Sequence, residues 1–145
     1  MEADAQAEYF ALLERSFAAA PIIEHVPQTL SVIEEGRVRI ELPFDLRLCH
    51  GGGALHGGVL MLLLDNAGYF ACASASGGKW VSTVEMKTQL LESVKDCTLV
   101  AEGEVLKRGR HVIHARADAF MVVGERRVRA ATALGTWTIL PRAFR

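Results

Sequence analysis

Residues Gly57 to about Ser74 are the segment that most limits how this chain can fold. Val59, Leu60, Met61, Leu62, Leu63 and Leu64 leave no polar face, and Ala67, Tyr69, Phe70, Ala71 and Cys72 continue the pattern. A helix that is apolar all round is buried all round, so the rest of the chain is expected to enclose it. Asp65 interrupts the run. Burying an ionised carboxylate costs several kcal/mol even after relaxation. Such an acid either reaches solvent through a gap, pairs with a structural donor, or belongs to a functional site, where perturbed carboxylates concentrate.

The remaining chain supplies the enclosure. Ala3 to Ala19 suits an amphipathic helix, with Phe10, Leu13 and Phe17 at spacings of three and four, and Pro21 ends it. Leu30 to Leu42 reads as two β segments turning at Glu34-Glu35-Gly36-Arg37, and in the second Val38, Ile40 and Leu42 alternate with Arg39 and Glu41. A loop runs from Leu46 to Leu55. After the stop signal Gly77-Gly78, Val84, Met86, Thr88 and Leu90 alternate with Glu85, Lys87 and Gln89. Strands follow at Leu99 to Leu106, His111 to Val123 and Val128 to Leu140, with turns at Lys107-Arg108-Gly109-Arg110 and Gly124-Glu125. Short glycine-bearing turns imply antiparallel hairpins. The expected architecture is α+β: a twisted antiparallel sheet wrapped around one long apolar helix, with an N-terminal helix, as a single domain over residues 1–145.

Composition excludes several function classes. A net charge of -1 offers no broad attraction for nucleic acid or an anionic membrane. Cys49, Cys72 and Cys97 form no CxxC pair, so no zinc knuckle or redox motif is expected and reduced thiols are the simple reading. Met1-Glu2-Ala3-Asp4 carries acids where a signal peptide needs a basic start. The run from Val59 to Leu64 falls well short of the roughly 20 residues that span a bilayer. A cytoplasmic protein is the expectation. Gly51-Gly52-Gly53 does not continue as a dinucleotide fingerprint, no Walker lysine follows Gly57 or Gly58, and no serine sits in GxSxG. His111 and His114 are three apart on a strand and face opposite sides, which suits no shared metal; neither metal nor cofactor is expected.

His56-Gly57-Gly58 lies where the first amides of the apolar helix have no partner inside it. Glycine lets a ligand approach the backbone, and the positive end of the dipole favours an oxygen that gains negative charge during reaction. On its own a glycine pair here is also what a simple turn shows. Gly57 and Asp65 are eight positions apart, about 12 Å along a helix. Both cannot touch one carbonyl group within one chain. If they cooperate, the amide and the carboxylate come from different chains related by a two-fold axis, so the spacing predicts a dimer.

The stretch from His56-Gly57-Gly58-Val59 through Asp65 resembles the signature of the hotdog-fold acyl-CoA thioesterases of the phenylacetate-degradation (PaaI) type. Val81-Ser82-Thr83-Val84-Glu85-Met86-Lys87-Thr88 resembles that family's following strand, and Lys107-Arg108-Gly109-Arg110 with Ala130 to Thr138 its closing hairpin. The likeness spans about Val38 to Leu140. It implies hydrolysis of an acyl-CoA thioester, with the Gly57 amide as oxyanion hole and Asp65 of the partner chain as general base or nucleophile. It further implies a supporting role for His56 and a Thr83 hydroxyl that orients the water or Asp65. Simple alternation puts Thr83 with Glu85 and Lys87, away from the apolar face. The family carries Asn where this chain has His50, inside Cys49-His50-Gly51-Gly52-Gly53; imidazole also donates a hydrogen bond, with an altered pH dependence. Gly58 and the basic turn residues Lys107, Arg108, Arg110 and Arg129 are implied substrate contacts, the latter for coenzyme A phosphates, although charged turns are commonly just solvated. A homodimer with shared sites, assembling further as a dimer of dimers, is the implied assembly. Two other activities stay open: a hotdog acyl-thioester dehydratase or hydratase, and a non-catalytic acyl-CoA-binding module.

Overall fold

Tight reversals at Glu35-Gly36, at Gly109 to His111 and at Gly124-Glu125 convert the strand-forming stretches into hairpins, with Gly36 and Gly124 in the left-handed region that favours glycine. A computed structural model describes residues 2–145; Met1, at the acid-bearing start of the chain, lies outside it. The elements run α1 (Ala3–Ala18), a 3-10 turn at Pro21–Glu24, β1 (Thr29–Glu34), β2 (Arg37–Leu42) and a second 3-10 turn at Leu46–Leu48. Then come α2 (Gly57–Ser74), β3 (Lys79–Leu90), β4 (Thr98–Arg108), β5 (Val112–Val123) and β6 (Arg126–Ala143). One sheet of six strands has the order β1-β2-β4-β5-β6-β3, every pairing antiparallel. β3 and β1 are therefore its edges.

The helix α2 lies in the hollow of this sheet. Leu60, Leu63, Leu64, Ala67 and Ala71 pack into one core with Ile40, Leu42, Leu99, Ala101, Ile113 and the alanines of β5 and β6. Small residues let helix and sheet approach closely: a Cβ on Gly103 would run into the carbonyl of Ala67, and one on Gly68 into the ring of Trp137. α1 closes one end of the core with Tyr9, Leu13 and Phe17. The buried stripe thus runs through Tyr9, while Phe10 sits at its margin. The Tyr9 hydroxyl donates to the Ala73 carbonyl (2.8 Å), satisfying a carbonyl in the last turn of α2.

One expectation from composition fails. Only ten of the eighteen residues of α2 are buried. Gly58, Met61, Leu62, Asp65, Asn66 and Tyr69 recur at spacings of three and one, so they form one stripe, and all are partly or fully exposed, Met61 by 44%. A single curved sheet covers one side of a helix, and the opposite side is left open.

Candidate active site

At the start of α2, His56 is the N-cap, and its Nδ1 accepts from the Gly58 amide at 2.9 Å. The amides of Val59 and Leu60 donate to the His56 carbonyl. Gly57 alone of these first amides has no hydrogen-bond partner among the described residues. A Cβ on Gly57 would lie 2.8 Å from Cδ1 of Leu90, so the missing side chain makes room for the end of β3. The preceding loop folds back on itself: the His50 amide donates to the Ala54 carbonyl and the His56 amide to the Leu48 carbonyl. There, Nδ1 of His50 accepts from the Gly52 amide at 2.9 Å. With Nδ1 accepting, each neutral imidazole keeps its proton on Nε2 and offers an N–H donor there.

Two turns further along α2, Asp65 accepts a 2.8 Å hydrogen bond on Oδ1 from the Thr83 hydroxyl. Simple alternation had set Thr83 apart from the apolar face, and the structure corrects this. Thr83 pairs with Trp137 and Glu85 with Thr136, so a β-bulge falls at Val84. Trp137 points inward, 1% exposed, and Thr83 opposite it shares that side with Val81. Across the bulge the phase inverts: Met86 and Thr88 face inward and Glu85 outward, where it accepts from the Thr136 hydroxyl. Val84, nominally on the apolar face, is 59% exposed.

Tyr69 and Asn66 complete the surroundings of Asp65 and were not singled out from the sequence. Tyr69 lies one helical turn after Asp65, and burial pushes its phenol up to about 12, with the neighbouring Tyr9 phenol and the Asp65 carboxylate adding to the shift. It is therefore a protonated phenol at any ordinary pH. The Asn66 amide is held by Gln28, donating to its Oε1 at 3.2 Å. The i,i+4 spacing of Asp65 and Tyr69 is the signal that could have found Tyr69; Asn66 follows Asp65 directly and only its bond to Gln28 marks it.

The basic residues separate into two groups. Thr83, Trp137, Ile113 and Arg108 follow one another across β3, β6, β5 and β4 on one row of the sheet, so the Lys107–Arg110 turn lies at the Asp65 end, three strands or about 14 Å away. Arg129 lies at the other end, beside Ala130, whose carbonyl accepts from Leu91 and Glu92 next to Leu90. Arg108 donates to the Ala75 carbonyl at 2.6 Å, at the C-terminus of α2. Arg129 pairs with Asp118 at 3.2 Å and sits over the Phe120 ring. Lys107 and Arg110 are exposed, and neither side chain has a partner among the described residues.

A single chain thus carries two separate groups: a Gly57 amide without a partner among the described residues, and, about 12 Å further along α2, Asp65 with the Thr83 hydroxyl of β3. The sequence profile of the thioesterase superfamily matches residues 52–125, just over half of the chain, and includes Gly57, Asp65 and Thr83. The chain belongs to the thioesterase superfamily. Its sheet-wrapped helix is the hotdog fold of that family. A Saccharolobus solfataricus protein bearing an esterase assignment is 32% identical over 108 residues, 74% of this chain and 75% of that protein. A thioesterase family protein from Silicibacter pomeroyi is 28% identical and superposes with a TM-score of 0.85, covering 91% of this chain and 98% of that one. The E. coli PaaI protein from the phenylacetic acid degradation operon shares the fold, with a TM-score of 0.86 at 16% identity over 97% of this chain and 99% of that one.

Proposed function

We propose that this thioesterase-superfamily protein hydrolyses an acyl-CoA thioester to the free acid and coenzyme A, at two equivalent sites shared by two copies of the chain. The observation that carries the reading is the Gly57 amide, without a partner among the described residues, on the same helix as the Thr83-bound Asp65, at a separation one thioester cannot bridge. Antiparallel pairing of two α2 helices about a two-fold axis, through the open stripe at Met61 and Leu62, sets each Gly57 beside the partner's copy of the Asp65–Thr83 pair.

In such a site the Gly57 N–H and the helix dipole polarise the thioester carbonyl and bind the oxyanion as it forms. The carboxylate of Asp65, held through Oδ1 by Thr83, takes a proton from water on its other oxygen. The water oxygen bonds to the acyl carbon, the C–S bond breaks, and the proton returns to the departing thiolate. The Nε2–H of His50 stands in for the amide donor that the family carries at that position. Lys107 and Arg110, exposed and without a side-chain partner among the described residues, are the cations that meet the coenzyme A phosphates.

The test is thiol release from a panel of acyl-CoAs by the wild type and Asp65→Asn. The variant is expected to lose release by at least 100-fold, the usual weight of a general base, while remaining dimeric. Wild-type turnover in the variant refutes the mechanism. Tight acyl-CoA binding by the wild type with no thiol released points instead to a binding module, and loss of an enoyl double bond without free thiol to a hydratase.

A further inference from the structure

A cleft of about 220 Å³ opens beside Asp65, between the end of α1, the Pro21–Glu24 turn, α2 and the start of β3. Its walls include Ile22, Tyr69, Phe70, Trp80 and Phe144, with Asp65 at its margin. Phe17 and Phe70 pack edge to face at 5.1 Å in its lining, and Ile22 remains 44% exposed at its mouth. The outer wall is a small aromatic assembly of its own. Phe144 stacks on Trp80 with centroids 4.3 Å apart, meets Tyr9 edge-on at 6.3 Å and is only 7% exposed. The backbone anchor of Phe144 is the donation of its amide to the Gly78 carbonyl at 2.8 Å.

Resting on the thioester-hydrolase reading, we propose that this cleft holds the acyl group of the substrate and that Phe144, backed by Trp80, is the residue that limits its size. The cleft adjoins the carboxylate that acts on the thioester carbon, so a group attached to that carbon enters it directly. An apolar cavity of ~150 Å³ accommodates a benzene ring, and this cleft is somewhat larger. Scaled from that benzene cavity, at about 25 Å³ per ring carbon, it takes about nine non-hydrogen atoms beyond the carbonyl. Uncharged apolar acyl groups of that bulk fill it, whether a ring or a medium-length chain, and a sixteen-carbon chain overruns its open front. A charged acyl group is disfavoured there, because no cation among the described residues lines the cleft to offset its desolvation.

The experiment measures kcat/KM for octanoyl-, phenylacetyl- and palmitoyl-CoA in the wild type and in Phe144→Ala. In parallel, Trp80 emission reports the binding of the matching S-alkyl-CoA thioethers, which cannot be hydrolysed. Removing Phe144 is expected to raise the palmitoyl-to-octanoyl ratio at least tenfold in both readouts, and the phenylacetyl arm shows whether rings or chains fill the cleft better. Should Phe144→Ala fail to fold, Ile22→Trp narrows the cleft from its exposed front and is expected to lower the octanoyl ratio to a shorter acetyl thioester by a similar factor. An unchanged ratio in a folded variant overturns the assignment while leaving hydrolysis standing. Absence of thiol release with the binding ratio still shifted overturns the hydrolase reading and keeps the cleft. Saturable binding of none of the thioethers overturns the cleft itself.

Discussion

Asp65 is held by one hydroxyl. Its Oδ1 accepts from Thr83 at 2.8 Å, and a hydrogen bond to a charged group is worth about 1.5–3 kcal/mol. If that bond orients the carboxylate toward water, Thr83→Val is expected to lower kcat by about 10- to 100-fold with KM nearly unchanged. Steady-state kinetics checks this, and a fall confined to KM would show Thr83 touching substrate instead. His50 offers a second test. Its Nδ1 accepts the Gly52 amide, which leaves the Nε2–H as the free donor. His50→Ala removes that donor and is expected to lower kcat by about 10-fold or more, whereas His50→Asn, which restores an amide donor, is expected to retain most of it. Equal kcat in His50→Ala and the wild type would remove His50 from the mechanism.

The element on which the proposed function rests is α2, and its two faces have different surroundings. The buried face is committed to the sheet through Leu60, Leu63, Leu64, Ala67 and Ala71. On the open face Met61 is 44% exposed, so a charge there costs the single chain little, within about 0.5 kcal/mol. Across a two-fold axis the same charge would meet its copy in an apolar contact. Met61→Glu is thus expected to keep its melting temperature as a folded monomer and to lose both dimer mass in light scattering and thiol release. A dimeric, active Met61→Glu would show that the copies associate elsewhere. At this scale β3 is the other informative element: the bulge at Val84 is what turns Thr83 toward Asp65.

At the scale of the whole molecule, the charge distribution carries a prediction that net charge does not. The chain sums to -1, yet Lys107 and Arg110 lie exposed at the sheet end that holds Asp65, without internal partners among the described residues. The double variant Lys107→Ala, Arg110→Ala is expected to raise KM for acyl-CoA about three- to tenfold. It should leave KM unchanged for a thioester of N-acetylcysteamine, which has no phosphates, and the acyl-CoA value should rise with salt in the wild type only. Equal effects on both thioesters would place these cations in a structural role.

The sequence by itself determined whatever depends on near neighbours in the chain. The apolar helix from Gly57, its glycine-led start, the strand stretches and the hairpin turns all follow from periodicity and turn chemistry. The separation of about 12 Å between Gly57 and Asp65 follows from helix rise, and two chains follow from it only where the two groups act on one thioester. Tertiary structure decided what depends on pairings distant in sequence. A bulge defined by register against Trp137 and Thr136 reversed the facing of Thr83, because side-chain direction in a strand changes phase with one inserted residue. The open stripe on α2 followed from how far one sheet can curve around a helix, which no local pattern encodes. The separation of the basic turns to opposite ends of the sheet came from strand order, as did the cleft beside Asp65. That cleft exists only because Phe17, Trp80 and Phe144, scattered along the chain, meet in three dimensions around the carboxylate that the sequence had already marked.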